Sequence, residues 1–382
     1  MNVDETFPLG LAIGPAFCDR IEERRRLAEA VFGPHHVWLS APRRYGKSSL
    51  VAQALVDLER RRARLVQATV DLLPAYDAAS AAGAILAAVG RASGQLLPGP
   101  ARVAHWLRQT FGRLRAEAVV DAEGPRVRFA IGAAGPEAVE AGLRGLDAAA
   151  ARAKRRVVLV FDEFQQLAAL GKEGHAIEAA VRSIAQGTRA SAYVFSGSRR
   201  SLLAQMFESP RRPLYRLCEG IPLARIPAED YRAHLDRAAR RRWHRGLSDA
   251  ALEVIVGLTE RHPHYVNRLC NRLWRRERMP GPAAVEEAWH AIVAAERDGF
   301  VSELARLTPP RRAVLVALAR RPTAQPTARA FLDLAGLAAS TVRASLRWLL
   351  DEDLVELDPT TGEHRVLDPA LRTYLAQIAE GA

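Results

Sequence analysis

The stretch VWLSAPRRYGKSSLVAQAL, residues 37–55, decides the fold. Four apolar or small residues (37–40) read as a short buried strand. A turn follows, closing in Gly46-Lys47-Ser48, and Leu50, Val51, Ala54, Leu55 and Leu58 then recur at helical spacing. Strand, loop and helix in this order aim the free N–H groups of the helix N-terminus at whatever the loop holds, and phosphates suit them. The pattern is G-x-x-x-x-G-K-[ST] with one departure: the first position is Ala41. Alanine is the next smallest residue, and Pro42 fixes a neighbouring φ. Lys47 would reach the β and γ phosphates, and the Ser48 hydroxyl would ligate Mg²⁺. All but three of the 55 basic residues are arginine, so a lysine at 47 stands against the bias of the chain. A compact ammonium enters such a loop where a planar guanidinium fork does not fit.

A second strand, RRVVLVFDEF (155–164), ends in Asp162-Glu163. Beside a phosphate loop, Asp162 would hold the Mg²⁺ shell and Glu163 would act as general base on a water. On its own, Asp-Glu after a strand reads equally as a helix cap. SAYVFSGS (191–198) is a third strand and RLVQATVDL (64–72) a fourth. Ser198 either senses the γ phosphate or its water, or caps the next helix. Residues 92–150 are punctuated by Gly and Pro and yield no assigned elements.

The chain has 382 residues, 49% of them hydrophobic, which suits two or three domains with proper cores. The pattern is α/β to about residue 222, an arginine-rich helical lid at 223–300, and a third domain at 301–382. In the last, Thr308 caps a helix with Pro309 at its first position. A second helix stops at Gly336. A third begins with Ser340 as cap and carries the stripe Val342, Leu346, Leu349, Leu350. A hairpin turns at Asp358-Pro-Thr-Thr-Gly362. Three helices and a hairpin make a winged helix.

Cys18, Cys218 and Cys270 are far apart, with no zinc spacing, and fit a reducing compartment. The N-terminus reads as no signal peptide, and the run 78–90 is too short to span a bilayer, so a cytoplasmic protein is expected. The net charge of +12 is unevenly spread. Residues 199–278 hold 18 Arg against 9 Asp and Glu, whereas 302–382 hold 10 Arg against 10 acids. The wing, 351–368, sets Asp351, Glu352, Asp353, Glu356, Asp358, Glu363 and Asp368 against Arg365. Phosphate contact supplies non-specific affinity for nucleic acid, so the arginine-rich region 199–278 is the better electrostatic candidate. Ser340, Thr341, Arg343 and Arg347 on the helix 340–350 would touch DNA if the winged helix does. Otherwise that module docks on protein or on the chain itself.

AFCDRIEERRRLAEAV (16–31), APRRYGKSSL (41–50), VLVFDEFQQL (158–167), RSIAQ (182–186), YVFSGSRRSLLAQMF (193–207), RRPLYRLCEGIPLARI (211–226) and HPHYVNRLCNRLW (262–274) follow one another as in the archaeal-type ATPases. That AAA-like branch of the P-loop NTPases is related to the STAND switch ATPases. The chain resembles it from about residue 14 to the end. The resemblance implies ATP, Mg²⁺, an additional strand between the two motif-bearing strands, and Glu163 as catalytic acid/base. Carried over by position, the nucleotide would meet Ala41, Pro42, Arg43, Arg44, Tyr45, Gly46, Lys47, Ser48 and Ser49. Asp19-Arg20 falls where the family often has Gly-Arg, which adds Arg20. Arg216 falls in the segment that supplies a catalytic arginine; Arg199, Arg200, Arg211 and Arg212 are the other candidates. Arg261-His262-Pro263 replaces the lid's Gly-His-Pro.

The expected protein is an ATP-binding, ATP-hydrolysing switch or loader acting on a partner. Two alternatives stay open: a DNA-binding regulator that turns over little ATP, and an interaction adaptor with a vestigial site, for which Ala41 and Arg261 speak.

Overall fold

A computed structural model describes residues 3–33, 35–60, 64–97, 99–111, 116–121, 124–129, 135–359 and 361–380. Thr360, in the expected wing turn, lies outside them. By contact the chain forms two units. One comprises Ile21–Arg43 and Leu50–Leu223, the other Met1–Arg20, Arg44–Ser49 and Ala224–Ala382.

The first unit carries strands β1 (Val37–Ser40), β2 (Leu65–Asp71), β3 (Ala116–Asp121), β4 (Gly124–Phe129), β5 (Arg156–Asp162), β6 (Ser191–Gly197) and β7 (Glu219–Pro222). Five of them form a parallel sheet in the order β2-β5-β6-β1-β7. The four strands expected from sequence are all in it, and β6 is the additional strand between β1 and β5. β5 and β6 are buried almost throughout, as strands of a sheet covered on both faces must be. Phe161, Phe164, Phe195 and Phe207 pack around this centre. The stretch left unassigned by sequence holds helix Pro100–Phe111, the antiparallel hairpin β3-β4 and helix Pro136–Ala153, together with the end of helix Ala78–Leu96.

Two polar side chains fix how helices meet the sheet. The buried His36 accepts from the Tyr193 N–H at Nδ1 (3.0 Å) and donates from Nε2 to the Ala185 carbonyl (2.8 Å). Burial lowers its pKa and keeps the ring neutral, as this donor–acceptor pattern requires. The Asp147 carboxylate accepts the N–H groups of Arg189, Ala190 and Ser191, the last at 2.8 Å, at the start of β6.

In the second unit, helices Ala228–Trp243, Asp249–Thr259, Pro263–Trp274, Pro282–Ala295 and Arg297–Ala305 precede the winged helix. The latter comprises helices Pro309–Arg320, Arg329–Ala335 and Ala339–Asp351 and the hairpin β8 (Val355–Leu357) and β9 (His364–Val366). Helix Pro369–Glu380, unassigned from sequence, closes it. Trp289 donates to the Thr373 hydroxyl (3.1 Å), and the Tyr265 hydroxyl lies against Asp368 (2.7 Å) and Glu296 (2.8 Å).

Two expected caps differ. Thr308 occupies the N-cap position without a side-chain bond, because Pro309 and Pro310 leave fewer N–H groups to receive. Helix Ala339–Asp351 is preceded by Ala338 in extended conformation, so Ser340 lies inside the first turn and is not its cap. Gly336 stops the preceding helix at φ 64°, as expected. The stripe Val342, Leu346, Leu349 is buried, with Leu350 half-buried. Among the described residues no helix is long and apolar enough to cross a membrane.

Asp147 offers a direct stability test. Asp147→Ala strands three backbone donors at the edge of the sheet. An equilibrium denaturation should lose about 2 kcal/mol, and a loss below about 0.5 kcal/mol would show that water replaces the carboxylate.

Candidate functional site

The loop leaves β1 at the carboxyl edge of the sheet. Ala41 is fully buried, and its φ is not in the left-handed region. The turn is made further on, at Arg44 (φ 65°) and Gly46 (φ 85°), and helix Lys47–Arg60 begins directly after. The first loop position therefore has no conformational need for glycine. Pro42 is buried like Ala41, while Arg43, Arg44 and Ser48 are exposed. Lys47 and Ser49 are buried, and the Ser49 hydroxyl accepts the Ala12 N–H at 3.0 Å.

Residues Arg44–Ser49 belong by contact to the unit that holds the lid and winged helix. Tyr45 is 2% exposed. Its ring meets His262 edge-on at 4.7 Å, and its hydroxyl donates to Glu356 in β8 at 3.1 Å. Glu356 also accepts from Arg225 and Arg365, each at 2.8 Å. The Arg225 guanidinium donates further to the carbonyls of Glu260 (2.7 Å) and Leu367 (2.8 Å). Burial, then the Arg225 charge, hold His262 neutral; burial and Arg44 push His264 down to about 4. Arg20 is buried, and Asp19 (φ 54°) and Arg20 (φ 63°) are both left-handed. So are Glu260 (φ 47°) and Arg261 (φ 61°). Asp19 and Arg261 thus keep a backbone conformation that glycine adopts without strain.

The acidic pair is built within the first unit. β5 and β6 run in register from Val157↔Ser191 to Phe161↔Phe195, and β6 meets β1 at Gly197↔Ser40. The ends of β5, β6 and β1 therefore lie side by side. Asp162 accepts at Oδ1 from the Ser196 hydroxyl (2.7 Å) and the Glu163 N–H (3.1 Å). Glu163 is left-handed (φ 51°), and its Oε2 accepts from the Ser198 hydroxyl (2.8 Å), the Ser198 N–H (3.4 Å) and the Gln165 amide. Neither acid caps a helix: the next one is preceded by Gln165. Nor does Ser198, since helix Arg200–Glu208 starts from Arg199.

Of the arginine candidates, Arg212 is already engaged. It binds the fully buried Glu178 and His175, while Arg182 donates to the carbonyls of Pro213 and Tyr215 (3.0 Å for the latter). Burial pushes the Glu178 carboxyl up to about 7 against the pull of Arg212. These bonds pin the segment that carries Arg211 and Arg216. Both are exposed, and the Arg216 guanidinium lies 5.1 Å from the Tyr215 ring centre.

Sequence reading gave no bonding role to Ser196, Gln165, Arg225 or Glu356, and it overrated two charge counts. In the lid window, Arg212, Arg225, Arg232, Arg240, Arg268, Arg275 and Arg276 are all ion-paired. Several partners (Glu178, Glu356, Glu296, Asp4, Glu287) lie outside residues 199–278, where a window count cannot see them. In the wing, Glu356 and Asp358 are buried against arginines, and Asp368 accepts from Tyr265 and the Ala370 N–H. Three of the seven acids expected to repel phosphate are thus turned inward. Ser340, Arg343 and Arg347 stand exposed on helix Ala339–Asp351, with Thr341 half-buried.

Residues 298–377 match the family described as "Probable winged helix domain". No protein of curated function matches the chain by sequence. Among solved structures, the Walker-type ATPase PABY2304 of Pyrococcus abyssi is similar with a TM-score of 0.65 and 17% identity, over 94% of this chain and 96% of that one. The Aeropyrum pernix ORC2 protein, in ADPNP-ADP complexes, is similar with a TM-score of 0.54 and 14% identity, over 95% and 96%. At such identities the likeness is one of fold: a P-loop ATPase sheet with an added central strand, a helical region and a C-terminal winged helix.

Ala41 gives a prediction opposite to that for a decayed loop. Ala41→Gly removes a buried methyl and adds backbone freedom where no left-handed φ is needed. It should cost about 1 kcal/mol of stability and leave nucleotide affinity unchanged. A gain in affinity, read by fluorescent-nucleotide titration, would mean that alanine obstructs the loop.

Proposed function

We propose that the chain binds ATP with Mg²⁺, hydrolyses it slowly, and passes the state of the nucleotide to its winged helix. The observation that carries this reading is Tyr45. A residue of the phosphate loop is buried against the lid and hydrogen-bonded to the wing strand β8 through Glu356. Any ligand that re-forms the loop must act on that bond.

The proposed roles follow from the chemistry of each group. The N–H groups at the start of helix Lys47–Arg60 and the Lys47 ammonium bind phosphate, with the remaining residues of 41–49 and Arg20 around the nucleotide. Among the described residues no group of three or more His, Cys, Asp or Glu would cage a metal ion. Mg²⁺ takes one or two carboxylates and completes its shell with phosphate and water. Asp162 and the Ser48 hydroxyl are the donors assigned to it, and the bonds that Asp162 accepts both fall on Oδ1. When bound, the ion would neutralise charge on the phosphates. Glu163 is the general base. Ser198 and Gln165 both donate to its Oε2 and hold the carboxylate in place, so the proton from water is assigned to its other oxygen, with turnover expected to be low until a partner stimulates it. Arg216 is the catalytic-arginine candidate, and Ser198 positions Glu163.

The partner class follows less directly. The exposed Ser340, Arg343 and Arg347 support contact of the winged helix with nucleic acid, in which case the chain acts as a loader or regulator. Ion pairs hold six of the lid's arginines, which lowers the charge the lid has to offer DNA.

Two experiments test the reading. Lys47→Ala should lose ATP binding and turnover together. Glu163→Gln should keep ATP while phosphate release falls by roughly 10²-fold. Parent-like hydrolysis by Glu163→Gln would remove it as base, and absence of ATP binding by the parent would end the proposal. For the coupling, Tyr45→Phe deletes one bond to a carboxylate still held by two arginines, at a cost of about 1 kcal/mol. Hydrogen exchange should rise at 355–357 and 364–366, and ATP should no longer alter it. If ATP changes exchange at the wing equally in parent and variant, Tyr45 is not the link.

A further inference from the structure

Strands that run parallel all begin at one edge, and here that edge is cationic. Arg64 precedes β2, Lys154 and Arg155 precede β5, Arg156 opens β5, and Arg189 precedes β6. Because β2, β5 and β6 are consecutive in the sheet, these residues surround one open recess of about 590 Å³, with Phe32 on its rim. Among the described residues no acidic side chain lines it.

The two inner arginines are oriented without being neutralised. Arg155 donates to the carbonyls of Gln95 (2.8 Å) and Leu65 (2.9 Å), and Arg156 to those of Arg189 (2.8 Å) and Phe32. The carboxylate that reaches this edge, Asp147, is occupied by the N–H groups of Arg189, Ala190 and Ser191. Arg64, Lys154 and Arg189 are exposed, and among the described residues no ion pair engages them. In the lid, by contrast, Arg225, Arg232, Arg240, Arg268, Arg275 and Arg276 are each held by a carboxylate.

We infer that this recess is a binding site for the phosphate backbone of nucleic acid. A site for a small free anion needs converging N–H groups, and those at the start of β6 are consumed by Asp147. What the recess offers is several long cations, three of them exposed, over an open concave surface. That suits charges repeated along a strand, with neither a closed cage nor sequence readout. The proposal does not depend on ATP binding and uses no residue assigned to it.

The test is a salt titration of the full chain with a short labelled DNA duplex, read by anisotropy. The variant R64E/K154E/R189E spares Arg155 and Arg156, which brace the sheet edge. It should bind at least tenfold more weakly, and the slope of log K against log salt should fall by about 2–3, near 0.9 for each phosphate that is no longer neutralised. The milder R64Q/K154Q/R189Q should lose less affinity with an unchanged melting midpoint. R343E/R347E should leave the contribution of the recess intact. An unchanged slope in both recess variants overturns the inference. So does displacement of the duplex by micromolar inorganic pyrophosphate, which would mark a small-anion site. Recess-dependent binding to phosphatidylglycerol vesicles, with none to duplex, overturns it as well.

Discussion

A guanidinium is tolerated inside a protein only where its charge is matched and its donors are used. Arg225, with a side chain 4% exposed, imposes that demand on the C-terminal unit. Glu356 supplies a carboxylate, Glu260 a second carboxylate and a carbonyl, and Leu367 another carbonyl. Withdrawing one such partner from a buried charge costs about 3–5 kcal/mol, so lid residues 225 and 260 and wing residues 356 and 367 are held as a set. Glu356 is shared with Arg365 and Tyr45. The position of the wing strand, the turn that begins the lid helix at Pro263 and the tip of the phosphate loop are therefore one electrostatic problem. Burial, and after it this same charge, lower the pKa of His262 beside Tyr45, which keeps a second cation out of the cluster.

The carboxyl edge of the sheet follows a similar economy. Ser196 and Ser198 are two residues apart near the end of β6 and serve the neighbouring strand, one on Asp162 and the other on Glu163. Gly197 lies between them, where a Cβ would overlap the Gln165 side chain that also reaches Glu163. The additional strand thus does more than widen the sheet: it orients both acids. Glu163 is held at φ 51°, a conformation that costs a non-glycine residue energy and persists only where its surroundings enforce it.

What the sequence made legible was what depends on local pattern. β5 is apolar and β-branched and could be recognised as a buried strand; Val342, Leu346 and Leu349 declared a helix face. Residues 92–150 were opaque for a physical reason. Gly142 and Gly145 lie inside a helix and read as breaks. They mark close approach instead: a Cβ would come within 2.8 Å of Leu86 at the first and 2.7 Å of Thr110 at the second. Ala41 was read as the nearest substitute for a loop glycine, but the turn is made at Arg44 and Gly46. Glu356 was counted among solvent-facing acids because a three-residue strand has too little alternation to reveal its buried face. In β8, Val355 and Glu356 are both buried. Sequence showed the acids at 162 and 163; it gave no sign that two serines and a glutamine would occupy them.

The sheet also sorts charge by direction. Its carboxyl edge holds Asp162 and Glu163, and its amino edge holds Arg64, Lys154, Arg155, Arg156 and Arg189. A seven-residue strand such as β5 separates the two edges by roughly 20 Å, at about 3.3 Å per residue. The Debye length at physiological salt is about 8 Å, so the exposed cations of one edge scarcely alter the field at the other. A polyanion at the amino edge would then leave the acidic pair electrostatically undisturbed. Influence between the two sites would have to travel through strand and helix displacement, and the braces available for it are already visible: Arg156 on Arg189 at the start of β6, and Ser196 and Ser198 at its end.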